Sequence, residues 1–271
     1  MIRLCIALII LPLLIPHYTS AQFNSEDSAF IRDNYTKREV FISMRDGIKL
    51  YTAIYEPKDN TPAPILMERT PYSCSPYGKD EFPWRLGPDK FLLKEKYIVV
   101  YQDVRGRYKS EGDFIEMTPA IDKKKSKKDV DESSDTYDTV DWLIKNTNNN
   151  GRVGLWGISY PGFYASASLP DAHPAIKAVS PQAPVTDEFI GDDCNHNGAF
   201  FLLDNFNFYN YFDGKRQDNG EEYDAVFEPE KKDLYSLFSG IKTLKAANGP
   251  GYFNHKAVSY THLTLPTKRI V

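Results

Sequence analysis

The chain has 271 residues, 41% hydrophobic and 26% charged, with 33 basic against 37 acidic side chains. That balance builds a real core in one large domain or two modest ones, and it excludes a wholly disordered chain and a bundle of membrane spans. Three cysteines exclude a disulfide scaffold, and a formal charge of −4 makes nucleic acid a poor partner.

In chain order, Met1-Ile2-Arg3, an apolar run from Leu4 to Pro16 and the small residues Thr19-Ser20-Ala21 read as a secretory signal over 1–21, cleaved after Ala21. The run is too short to span a bilayer comfortably, so no stable membrane insertion is expected. Cys5 would leave with the signal. Cys74 and Cys194 would remain in a secreted or periplasmic protein, where a disulfide between them is allowed but not required by spacing.

Two β-rich runs, 38–44 and 48–55, flank Arg45-Asp46-Gly47, a hairpin turn in which Gly47 tolerates positive φ. Pro64 to Glu68 and Tyr97 to Gln102 are short buried-strand runs. The charged stretch Asp122 to Asp129 reads as a solvated surface loop. Val140, Leu143 and Ile144 stand at helical spacing in a helix over 136–146, with Asp135 as its cap. Strand 152–156, helix 160–168 and strand 176–180 follow. This alternation predicts a mostly parallel sheet with crossover helices, an α/β architecture over 22–186.

From Asp187 the pattern turns aromatic, with Phe200, Phe201, Phe206, Phe208, Tyr209, Tyr211 and Phe212 close together. Residues 187–257 are expected to form a mostly helical insertion, either a cap over a site or a packed subdomain with no substrate role. The last stretch, 258–271, has no element signal and resembles translated sequencing-adapter DNA. It is set aside from the fold argument, with the expectation that the natural protein continues past residue 257.

The strongest chemical signal is Gly157-Ile158-Ser159-Tyr160-Pro161-Gly162, between a strand and a helix. This is the setting of a nucleophile elbow, where a sharp turn lifts a serine hydroxyl off the carboxyl edge of a sheet and small neighbours let strand and helix backbones approach. Ser159 is the predicted nucleophile. The backbone N–H of Tyr160 would face a developing oxyanion. Glycine stands three residues after the serine, Pro161 holding the usual position, and proline is tolerated in a first helical turn. The spacing of Gly151, Gly154 and Gly157 does not fit a dinucleotide loop.

Three segments in order, Arg69-Thr70-Pro71-Tyr72, Asp103-Val104-Arg105-Gly106-Arg107 running on to Ser110-Glu111-Gly112, and the elbow, resemble the CocE/NonD-type serine hydrolases. These include cocaine esterase, α-amino acid ester hydrolases and X-Pro dipeptidyl-peptidases. The resemblance spans roughly Lys37 to Gly249. It implies an α/β-hydrolase fold with a partial helical cap, and the Tyr72 hydroxyl as second oxyanion donor beside the Tyr160 N–H. Asp103 and Arg105 read as structural rather than catalytic. Gly191-Asp192-Asp193-Cys194 with Gly198-Ala199-Phe200 resembles the α-amino acid ester hydrolase branch. There Asp193, with neighbouring Asp192, would grip a substrate ammonium; a helix cap or an exposed acidic pair is the other reading of those two residues.

A serine hydrolase on this fold also needs an acid and then a histidine after the nucleophile. None of His173, His196, His255 and His262 stands where a general base is expected. The family's C-terminal part and jelly-roll domain are missing as well. The chain as written is therefore expected to be a nearly inactive fragment of an active enzyme. The expected substrate is a small-molecule ester or peptide, favouring α-amino acyl esters, with an X-Pro dipeptidyl-peptidase or a non-catalytic binding domain as alternatives. No cofactor or metal is called for, and oligomeric state is not legible.

Overall fold

The computed structural model describes residues 25–185, 195–196, 199–201, 208, 211–212, 214–224 and 233–240. The signal-like segment 1–21, Asp192, Asp193, Cys194 and the tail 258–271 lie outside the described residues. So does most of the predicted cap, 187–257.

Six strands form one sheet in the order β1-β2-β4-β3-β5-β6. They are β1 Tyr35–Ser43, β2 Lys49–Pro57, β3 Ala63–Thr70, β4 Ile98–Asp103, β5 Asn149–Ile158 and β6 Ile176–Gln182. The β1–β2 and β2–β4 pairs are antiparallel, and β4–β3, β3–β5 and β5–β6 are parallel. This is the mixed sheet of an α/β-hydrolase, as expected. Each predicted strand is present, most of them one to three residues longer than its apolar run, because ladder hydrogen bonds continue past the last buried side chain.

Alternation of side chains divides the core in two. Ile54, Ile65, Met67, Val100, Val153 and Leu155 face α3 (Glu132–Asn146) and α4 (Tyr160–Ala167), meeting Val140, Leu143 and Ala165. Tyr51, Tyr55 and Val99 face the other way, onto Ile31 of α1 (Ser25–Asn34), onto Leu93 of α2 (Lys90–Lys94) and onto Leu86 in the loop before α2. The predicted hairpin closes with Met44 N–H donating to Ile48 O and Gly47 N–H to Met44 O, Gly47 lying at φ +92°.

The start of α3 corrects the sequence reading. Its cap is Asp131, not Asp135: the Asp131 carboxylate accepts from Ser134 N–H while Ser134 Oγ accepts from Asp131 N–H, a capping box. Apolar periodicity begins only at Val140, so the polar first turn looked like loop. Its residues are buried because they hold charge. Arg69 Nη1 donates to Glu132 Oε2 at 2.8 Å, and Arg105 makes two bonds to Asp135, at 2.7 and 3.0 Å. Arg105 also reaches Asp46 of the hairpin turn at 2.7 Å. One arginine of each of two sequence motifs thus ties the sheet to α3. The 122–129 stretch is a surface loop, pinned by Lys124 between Asp131 and Asp171.

The described parts of 187–257 include β7 (Asn195–His196) paired with β8 (Ala199–Phe200), a hairpin bridged at Arg216 and Tyr223, and α5 (Leu234–Ser239). No helix among the described residues is long and apolar enough to cross a membrane.

Removing one partner from a buried charge network leaves the others desolvated and unpaired. Asp135→Ala is therefore expected to lower stability by about 3 kcal/mol. The urea midpoint should fall with an unchanged slope, and a loss below about 1 kcal/mol would contradict the role assigned to this carboxylate.

Candidate active site

Strand β5 runs into α4 with only Ser159 between them, and this residue carries the turn at φ +62° and ψ −122°. A non-glycine residue there stores on the order of 1–3 kcal/mol of backbone strain, held only where the surroundings over-determine it. Here they do. Ser159 N–H donates to Gln182 O of β6 at 2.9 Å, and Phe163 N–H donates to Ser159 O at 3.0 Å. A Cβ on Gly157 would stand 2.3 Å from the Pro161 carbonyl, and one on Gly162 would stand 2.8 Å from Gln182 O. The late glycine thus has a physical reason: Gly157 faces the first turn of α4, whereas Gly162 faces β6. Ser159 itself is exposed. Tyr160 opens α4, so its N–H has no acceptor within the helix and lies at the positive end of the helix dipole.

The Tyr160 side chain serves as an anchor. Its ring is 1% exposed, and its hydroxyl accepts from Met117 N–H at 2.9 Å. Tyr72 meets that ring edge-on, with centroids 6.2 Å apart, and is itself 37% exposed. Tyr72 follows the end of β3, its N–H donating to Thr70 Oγ1 at 3.0 Å. The next residues hang from Asp103 at the end of β4. Asp103 Oδ1 accepts from Cys74 N–H at 2.8 Å, while Oδ2 accepts from the Tyr77 hydroxyl at 2.9 Å and Lys109 N–H at 3.3 Å. Asp103 and Arg105 are thus structural groups in this geometry. Burial pushes the Asp103 carboxyl up to about 6, with the three donors opposing. Burial and Asp103 together push the Cys74 thiol up, so this free, buried thiol is not a primed nucleophile.

Aromatic residues of the predicted cap converge on the same place. Phe212 lies 5.9 Å from the Tyr72 ring and 5.5 Å from the Tyr160 ring, and Tyr211 lies 6.0 Å from Tyr72. Beside the Tyr72 loop is a cavity of about 590 Å³ whose walls include Glu68, Trp84, Arg85, Tyr101 and Trp156. Burial pushes the Glu68 carboxyl up to about 7, with Arg85 opposing. The sequence reading passed over Glu68 as part of a buried strand, since only the fold turns its side chain toward a cavity.

His173 is the histidine whose side chain is described. His173 precedes β6, and the parallel register matches Val153 with Ile176 but Ile158 with Gln182. It therefore sits at the opposite edge of the sheet from Ser159, roughly 20 Å away at strand rise, with its ring on Tyr137 at 4.7 Å. His196 lies in β7; His255 and His262 fall outside the described residues. The structure brings together Ser159, Tyr160 and Tyr72. Asp192 and Asp193 are not among the residues it describes.

The model of the X-Pro dipeptidyl-peptidase (S15) family matches residues 46–237. The chain belongs to this family. Cocaine esterase of Rhodococcus sp. (strain MB1 Bresler) is 31% identical over 150 residues, which is 55% of this chain and 23% of that protein. An α-amino acid ester hydrolase structure shares 36% identity at a TM-score of 0.65, over 88% of this chain and 38% of that one. An aminopeptidase structure from a marine sediment Thaumarchaeota archaeon shares 34% identity at a TM-score of 0.67, over 79% of this chain and 35% of that one. The chain spans about a quarter to two fifths of the length of these relatives. S15 membership bears out the resemblance carried by the three motifs, and with it the α/β-hydrolase fold.

The Asp103 value gives a pH dependence with a definite sign. A carboxyl at about 6 in the fold and 3.8 in its ordinary state holds its proton more tightly when folded. Its contribution is fully present below the ordinary value and is lost as pH rises through the folded one. Against Asp103→Asn, the wild type should lose on the order of 2 kcal/mol between about pH 4 and 6.5, read from urea midpoints. A difference that stays flat or rises with pH would contradict the buried-acid account.

Proposed function

We propose that the protein is an exported serine hydrolase that cleaves an ester or amide through an acyl-enzyme on Ser159. The hydroxyl attacks the carbonyl, the tetrahedral oxygen is held by the Tyr160 N–H and the Tyr72 hydroxyl, and water then releases the acyl group. The observation that carries this reading is the strained, exposed Ser159 at the head of α4, with the Tyr72 ring against the ring of the next residue. A phenol suits the second position because it is a neutral donor on a rigid ring.

The favoured substrates are small α-amino acyl esters, their ammonium gripped by Asp193 with Asp192 beside it. Similarity to an α-amino acid ester hydrolase supports this choice. Cleavage of X-Pro dipeptides is the second reading, favoured by the family model itself. Either substrate presents a free amine. The triad acid and base are proposed to lie outside this chain, which alone would then turn over little substrate. Export to a periplasm or the exterior is part of the proposal and is supported by the signal-like composition of residues 1–21.

The test is a fluorophosphonate probe applied to the protein made from its complete gene. Wild type should label on Ser159 and Ser159→Ala should not; labelling of neither would leave a hydrolase-like binding domain, and equal labelling of both would put the nucleophile on another residue. Faster turnover of an amino-acid ester than of an X-Pro anilide is expected, and the reverse order would favour the dipeptidase.

A further inference from the structure

Among the described residues Arg107 is the largest fully buried side chain, 1% exposed. None of the ion pairs among the described residues includes it. A buried charge with no carboxylate is costly unless other groups replace its water. Aromatic faces do so here. The guanidinium lies 3.9 Å from the centroid of Tyr223, 5.0 Å from Phe212, 5.1 Å from Phe114, 5.3 Å from Tyr108 and 5.8 Å from Tyr211. Each such contact is favourable and strengthens when desolvated.

Its two hydrogen bonds to described residues reach two different segments. Nε donates to the Pro71 carbonyl at 3.2 Å, immediately before Tyr72. Nη1 donates to the Phe212 carbonyl at 3.3 Å. Phe212 and Tyr211 are also the aromatic residues against which the Tyr72 ring leans. One planar cation thus holds the backbone behind Tyr72 and the residues that hold its ring. A lysine could not do both, because a single ammonium on a flexible stem lacks the two-sided fork and the flat stacking face.

We propose that Arg107 is a positioning residue for the oxyanion hole, fixing Tyr72 against Tyr211 and Phe212 without touching substrate. This rests on the reading of Ser159 and Tyr72 given above.

The experiment uses the protein made from its complete gene, with Arg107→Met, Arg107→Lys, Tyr72→Phe and the two doubles with Tyr72→Phe. The readouts are kcat and KM on a p-nitrophenyl ester of a short acyl chain, and the rate of fluorophosphonate labelling. Loss of one oxyanion donor costs about 100-fold or more in kcat, so a displaced Tyr72 should cost about tenfold or more. Both Arg107 variants should lower kcat and the labelling rate by that amount, with KM changed less than about threefold. In the Tyr72→Phe background the further loss should vanish, because the hydroxyl being positioned is already gone. Arg107→Lys keeps the charge and the stem, and it decides the matter where Arg107→Met does not fold. Losses that multiply with Tyr72→Phe, or folded variants that lose thermal stability but keep wild-type kcat, would overturn the proposal. Absence of labelling in the wild type would instead overturn the Ser159 reading, so the two failures are distinguishable.

Discussion

The turn at Ser159 exists because two glycines let the first turn of α4 lie against the backbones of β5 and β6. Gly157 faces the Pro161 carbonyl and Gly162 faces Gln182 O at distances that leave no room for a methyl group. The chain therefore has to reverse within one residue, and that residue takes a backbone conformation few side chains accept. Strain at one position is tolerated because the sheet, the helix and the Ser159 N–H bond to Gln182 all fix it. The proposed chemistry rests on that reversal, which leaves an exposed hydroxyl, an N–H at a helix start, and a buried neighbouring tyrosine ring against which Tyr72 packs.

A second layer holds the loops on either side of that turn. Arg69 and Arg105 carry charge from the sheet into the polar first turn of α3. Asp103 gathers the Tyr72–Tyr77 loop through the Cys74 N–H and the Tyr77 hydroxyl, and it also accepts from the Lys109 N–H of the following loop. The motifs that look like catalytic signatures in the sequence are thus largely a frame. Their charged residues bind neighbouring loops, and only Ser159, the Tyr160 N–H and Tyr72 stand where chemistry is proposed.

The elements legible in the sequence are those whose signal is local. Strands showed as β-branched runs, α4 and its turn as Gly-x-Ser with proline and glycine after it, and the hairpin as Asp46-Gly47. Helix α1 was missed because SEDSAFIRDN is mostly polar and buries only Asp27 and Ile31, and α2 because one turn of KFLLK offers no period. The cap of α3 was placed four residues late because its first turn is buried through ion pairs, whose partners Arg69 and Arg105 lie far away in sequence. The part played by Glu68 in a cavity wall, and by Arg107 between two carbonyls, depends on contacts across the fold and left no local pattern.

The proposed site is a matter of geometry, in which the Ser159 hydroxyl would face two donors that converge on one oxygen. A crystal structure of the protein from its complete gene, after reaction with a small alkyl phosphonate, tests it most directly. Phosphorus is expected bonded to Ser159 Oγ, with its phosphoryl oxygen about 3 Å from both the Tyr160 nitrogen and the Tyr72 hydroxyl. A phosphonylated Ser159 whose oxygen turns away from Tyr72, or an adduct on another residue, would contradict it.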